Sequence, residues 1–196
     1  TLFAVKEIAE QISSNGWRPP LLKQGEFVDI ALHSYPFHPT ALVALPYLFK
    51  RLAQNERSIF AYLASHEPAG FQEFISKNEI LSFIRLPDLF DYLSANFQGR
   101  LYATGRARAI TETIDRLNNT TDLTQIEIDA LKTISLLNWL AEVSHLHASE
   151  DSVFDAMRSQ YAIDGDIKNA LKKLQASSLI VYRRFNRTYS IWQGSD

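Results

Sequence analysis

Apolar residues recur at helical spacing along most of the chain. Leu2, Val5, Ile8, Ala9 and Ile12 line one side of a helix over 2–14, and Asn15-Gly16 supplies its stop. Trp17-Arg18-Pro19-Pro20 cannot continue it, because proline has no amide hydrogen to donate. Tyr35-Pro36-Phe37-His38-Pro39 is held extended for the same reason. Thr40 then reads as the cap of a helix to about Ala53, with Leu42, Leu45, Leu48, Phe49 and Leu52 on its apolar side and Pro46 as a kink. The run Gln54-Asn55-Glu56-Arg57 interrupts, and Ile59, Phe60 and Leu63 predict a short helix over 58–65. Glu67-Pro68-Ala69-Gly70 is a turn, and 71–75 and 81–84 are short apolar pieces. Pro87 opens a helix of Leu89, Phe90, Leu93 and Phe97 that stops before Gly99, and a further helix covers 101–117. Phe71, Phe74, Phe83, Phe90 and Phe97 read as core rather than as a stacking platform. Alternation of period two is absent here, so residues 1–118 are expected to form a helical domain.

The polar run Asn118-Asn119-Thr120-Thr121-Asp122 marks the expected boundary. It holds two glycosylation sequons, but reads more simply as a loop capping the next helix. Beyond it, Ile126, Ala130, Ile134, Leu137 and Ala141 form the buried stripe of a long helix. Ser149 caps a second, with Glu150 and Asp151 at its positive end. Asp164-Gly165-Asp166 is a turn and cap for a third, whose Ile167, Ala170, Leu171 and Leu174 share one face. Two β-rich runs follow, 179–185 and 188–192, joined at Asn186-Arg187 in a tight hairpin. Three helices and a hairpin in this order are those of a winged helix. The expected fold is mainly α: a helical domain over 1–118, then a winged-helix domain (a helix-turn-helix with a β-hairpin wing) over 121–196.

Composition narrows the functional classes. A 196-residue chain that is 46% hydrophobic can bury a core, which excludes wholesale disorder. Having no cysteine, it has no disulfide scaffold, thiolate nucleophile or Cys-ligated metal. No apolar run approaches the ~20 residues of a membrane span and no signal peptide stands at the start, so a cytoplasmic protein without membrane contact is expected. Thr1 is not an initiator Met and the chain stops at Trp192-Gln193-Gly194-Ser195-Asp196, so a piece of a longer polypeptide is expected.

The net charge of −2 hides a separation. Residues 160–196 hold six cations against three acids, a net +3, whereas 112–155 hold nine acids against two cations, a net −7. The basic part suggests an anionic partner and the acidic part a protein partner, unless both are solvated faces of one fold.

The strongest candidate site joins the third helix to the hairpin. Lys168, Asn169, Lys172, Lys173 and Gln175 face away from the apolar stripe, and the hairpin adds Arg183, Arg184 and Arg187 beside Tyr182 and Tyr189. In a helix-turn-helix that outer face enters the major groove of duplex DNA while a wing reaches phosphates. Protein docking and a merely solvated face remain open alternatives, as does a stand-alone winged-helix transcriptional regulator. Arg106 and Arg108 could touch an anion or pair with the acidic segment. His145 and His147, alternate residues at a helix end, point apart and lack a third metal ligand. Asp164-Gly165-Asp166 lacks the later Glu of a calcium loop, and no nucleophile motif occurs, so neither catalytic nor metal-ligating residues are expected.

The Pro-His-Pro segment at 36–39 (with Phe37), the run Gln54-Asn55-Glu56-Arg57-Ser58 and the closing Tyr189-Ser190-Ile191-Trp192-Gln193-Gly194-Ser195-Asp196 together resemble the downstream region of large bacterial P-loop ATPases, some associated with phage-defence loci. The order of helical lid and winged helix is also similar to that of origin-recognition-type initiator ATPases. The resemblance covers most of the chain. It implies an upstream P-loop ATPase domain as a partner, with ATP and Mg2+ bound there and none here. It also implies that Arg57, or else Arg51, is the lid arginine sensing the γ-phosphate. The chain departs from those enzymes in having no Gly-x-x-x-x-Gly-Lys-Ser/Thr loop, so the fragment itself is expected not to hydrolyse ATP. Its expected role is to couple a lid to a DNA-contacting winged helix, the alternative being a protein-docking module.

Overall fold

The computed structural model describes residues 2–52, 57–159 and 162–194, apart from the side chains of Arg57 and Ser58. Among the described residues the chain is mainly helical, with one small antiparallel sheet. It divides into two compact units, Thr1–Asn96 with Val143–Leu146 and Phe97–Glu142 with His147–Asp196. None of the described helices is long and apolar enough to cross a membrane.

The first unit contains α1 (Leu2–Ser14), α2 (Gln24–His33), α3 (Pro39–Leu52), α4 (Arg57–Ala64), α5 (Phe71–Lys77) and the start of α6 (Leu86–Thr104). Helix α1 buries Val5, Ala9 and Ile12 as its spacing requires and ends where Gly16 takes a φ of +89°. Leu2, in its first turn, is exposed. Helix α2 is not announced by the apolar pattern, because only Phe27, Val28 and Ala31 are buried along it. Proline opens α3, one residue before the expected cap, and the Thr40 hydroxyl instead lies 2.6 Å from His38 Nδ1. Residues 81–84 make no apolar element: Leu81 is exposed, and the Ile84 backbone bridges Phe37 in parallel through His38 N–H to Ile84 C=O (2.9 Å) and Ile84 N–H to Pro36 C=O (2.9 Å). Of the five phenylalanines read as core, Phe90 is buried and the other four are half-buried. Tyr62 and Tyr92 are buried rings, 4.7 Å apart and edge to face. Gly99 does not end a helix; α6 runs through it to Thr104, and the break comes at Gly105, where φ is +61°.

The second unit holds the rest of α6, then α7 (Arg108–Asn119), α8 (Gln125–Leu140), α9 (Glu150–Met157), α10 (Asp164–Ala176), β1 (Ile180–Arg183) and β2 (Thr188–Ile191). The polar run at 118–122 lies inside this unit, as a connection between two packed helices. Helix α7 buries Ala109, Ile110, Thr113 and Ile114, and its Ala109 carbonyl accepts a hydrogen bond from the Ser135 hydroxyl of α8 (2.8 Å). Thr124 and Glu127 form a capping box at the start of α8. Helix α8 packs against α7, α9, α10 and β2, so Ala130, Leu131, Ile134, Leu136, Leu137 and Leu140 are fully buried around its circumference.

Ser149 caps α9 as the sequence predicts, accepting from Ser152 N–H at 3.1 Å. The cap of α10 is Ile163, not Asp164-Gly165-Asp166, which fills the first turn instead. The hairpin pairs Ile180 with Ile191 and Arg183 with Thr188, and its connection is four residues, Arg184-Phe185-Asn186-Arg187, rather than two. Arg187 turns the chain with a φ of +55°. The outer edge of β2 is also engaged. Tyr189 N–H donates to Ala148 C=O (2.8 Å), Thr188 bridges Ser149, and the Asn138 side chain accepts from Ile191 N–H and donates to Tyr189 C=O, both at 2.9 Å.

Candidate nucleic-acid interface

The basic surface belongs to the second unit and begins with the amphipathicity of α10. Ile167, Ala170, Leu171 and Leu174 are buried, which turns Lys168, Asn169, Lys172 and Lys173 outward, and all four are exposed. Lys173 is not equivalent to the others: its ammonium lies 3.8 Å from the Glu127 carboxylate, whose side chain is nearly buried. Part of its charge is therefore compensated inside the unit.

Arg158 links the end of α9 to the first turn of α10. Its guanidinium meets Asp155 Oδ1 at 2.8 Å and both Asp164 carboxylate oxygens, at 2.6 and 3.1 Å. The Asp155 side chain is 1% exposed, so this arginine supplies compensating charge to a buried carboxylate. Its hydrogen bonds hold the Asp164 carboxyl below the usual range. The sequence sets Arg158 three residues after Asp155 and six before Asp164, but does not show that one of these carboxylates is buried.

The hairpin divides its arginines. Pairing puts Ile180, Ile191, Tyr182 and Tyr189 on one face and Val181, Ser190, Arg183 and Thr188 on the other. Ile180, Tyr189 and Ile191 are buried, and burial, with Glu150 and Tyr182 adding to it, pushes the Tyr189 hydroxyl up to about 12. Arg184 and Arg187 are exposed in the connection. Arg183 points from the opposite face, its Nε donating to Ser190 Oγ at 2.9 Å. There it joins Arg106 and Arg108 in a cleft of 490 Å3 that also includes Asn138, Trp139, Glu142, His147, Phe185 and Gln193.

Compared with known proteins, the chain matches no family model, no curated protein and no solved structure.

The remaining candidates separate. Arg51 is half-buried near the end of α3; Arg57 opens α4, and its side chain lies outside the described residues. His145 and His147 lie beyond the end of α8 rather than within a helix. His145 belongs to the first unit, with its ring 3.1 Å from the Tyr47 hydroxyl and 3.0 Å from Trp17 C=O, while His147 is exposed. Among the described residues no group of three His, Cys, Asp or Glu side chains could hold a metal ion. The acidic stretch is partly consumed internally: Glu127 and Asp155 are buried, Glu112 lies 4.0 Å from Arg116, and Asp115 accepts from the Tyr102 hydroxyl at 2.5 Å.

Proposed function

We propose that α8 to β2 act as a winged helix that contacts duplex DNA, with α10 laid against a groove and the β1–β2 connection reaching phosphates. The observation that carries this reading is the clean partition of α10, apolar side buried and Lys168, Asn169 and Lys172 exposed, followed directly by Arg184 and Arg187 in an exposed turn. Further support comes from the bridge between Ser149 and Thr188. It pairs the residue ahead of α9 with β2, so the order is helix, single bridge, helix, helix, hairpin. Lys173 is the weakest contributor, because Glu127 already engages it.

Titrating a labelled duplex at two salt concentrations tests the reading. Lys172→Ala with Arg184→Ala should weaken binding roughly ten-fold and flatten the log–log salt dependence by about 1.8, near 0.9 for each phosphate no longer neutralised. Unchanged affinity and slope would remove DNA contact through this face.

A protein-docking role is the second reading. It is favoured by the exposed acids Asp115, Asp122, Glu142 and Asp151 of the same unit, which would repel a nucleic acid. A stable complex with a basic protein that competes with duplex would support it. By its resemblance to P-loop ATPases, the chain would serve as the DNA-contacting end of such an enzyme, with ATP and Mg2+ held upstream and Arg57 or Arg51 sensing the nucleotide. Duplex-stimulated ATP hydrolysis by the longer polypeptide, lost in Arg57→Ala, tests that role.

A further inference from the structure

We infer that the arginine-lined cleft of the second unit is a phosphate site, occupied by the sugar–phosphate strand on the far side of the hairpin from α10. Arg106 and Arg108 come from the connection into α7 and its first residue, and Arg183 from the end of β1, seventy-odd residues later. The fold brings all three to one concave surface of 490 Å3.

The way these side chains are held points to an anion. Arg108 donates to the Gln193 carbonyl at 3.2 Å and Arg183 to the Ser190 hydroxyl at 2.9 Å. Both anchors are neutral oxygens, and among the described residues neither guanidinium lies within ion-pairing distance of a carboxylate. Each is therefore oriented without being neutralised, leaving donors of the planar fork for a bidentate partner such as a phosphate. The first turn of α7 contains no acidic residue and no side-chain cap, so its amide end adds to the positive field. Among the described residues that line the cleft Glu142 is the one carboxylate, and the exposed Phe185 ring stands on the rim.

Position selects the source of the phosphate. A β-ribbon entering a groove of duplex DNA has one backbone on each side. The face carrying Ile180 and Ile191 belongs to the core shared with α10, and the face carrying Arg183 and Thr188 lines the cleft. A strand following the α10 side would meet Lys168 and Lys172, and its complement would meet the three arginines. This inference rests on the DNA reading above and adds a second row of contacts to it.

Duplex binding by Arg106→Gln/Arg108→Gln, measured beside Lys172→Ala/Arg184→Ala, separates the two claims. The arginine variant should lose about ten-fold in affinity and about 1.8 in salt slope. Phenylglyoxal labelling of the unmodified protein, read by mass spectrometry, gives a measurement independent of substitution: duplex should protect Arg106, Arg108 and Arg183. If the Lys172/Arg184 pair matters while the Arg106/Arg108 pair changes nothing and the labelling is unprotected, the cleft inference is overturned and the α10 reading stands. If the Arg106/Arg108 pair matters and the Lys172/Arg184 pair does not, the cleft stands and the α10 reading falls. Absence of any duplex binding overturns both, and protection by a mononucleotide but not by duplex overturns the assignment to a DNA strand.

Discussion

His38 shows how one side chain ties stability to pH. It exposes 1% of its surface, sits edge-on to Phe83 at 5.7 Å and bonds Thr40 within the bend that leads into α3. Burial, reinforced by the positive charge of Arg85, pushes its imidazole well below the ordinary value of 6.5, so the folded state holds it neutral. The unfolded chain takes up a proton near 6.5 and the folded chain only at lower pH. Stability from this group is therefore complete above 6.5 and falls as the pH drops below it, by up to about 1.4 kcal/mol per pH unit. Urea unfolding between pH 7.5 and 5 should show this decline, and His38→Gln, destabilised throughout, should lose the steep part of it. Arg158 makes the complementary case. Arg158→Ala takes an ion-pair partner from the buried Asp155 carboxylate and should cost about 3 kcal/mol, read as a lower melting temperature. Neither consequence is legible in the sequence, which offers a histidine between two prolines and an arginine near two aspartates; only packing says which is dry.

At the scale of elements, sequence pattern succeeds where local chemistry decides and fails where distant neighbours do. The α1 stop at Asn15-Gly16, the Ser149 cap and the apolar stripe of α10 all follow from adjacent residues. The split of α6 at Gly99 fails because an exposed glycine costs a helix only about 1 kcal/mol, which packing on both sides outweighs. At Gly105 the positive φ forces the break instead. Thr124→Ala should remove the capping box of α8 and lower stability by about 1 kcal/mol, visible in a thermal melt. Arg187 offers a sharper tool. Its φ of +55° suits glycine better than any side chain, so Arg187→Gly should leave the melting temperature unchanged or slightly raised. Under the DNA reading it should nonetheless weaken duplex binding several-fold, which distinguishes a missing phosphate partner from a damaged fold. The arginine cleft escapes sequence analysis because nothing local to Arg106 and Arg108 announces that Arg183 will stand beside them.

For the molecule as a whole, the expected order of helical part and then three helices with a hairpin is legible, and the membership of residues is not. Helix α7 belongs with α8, since its buried face and Ala109 carbonyl are satisfied there, although a polar run separates the two in sequence. The four residues Val143–Leu146 reverse the assignment again: His145 is bonded by Tyr47 and Trp17, residues from the opening quarter of the polypeptide. The thread thus passes from one unit to the other at 96–97, returns at 142–143 and leaves once more at 146–147. A gene segment cut anywhere between the end of α3 and Val143 would carry His145 away from both its hydrogen-bonding companions. Neither unit is therefore one unbroken stretch of sequence, and expressing the hairpin-bearing unit alone means bridging the gap left by Val143–Leu146.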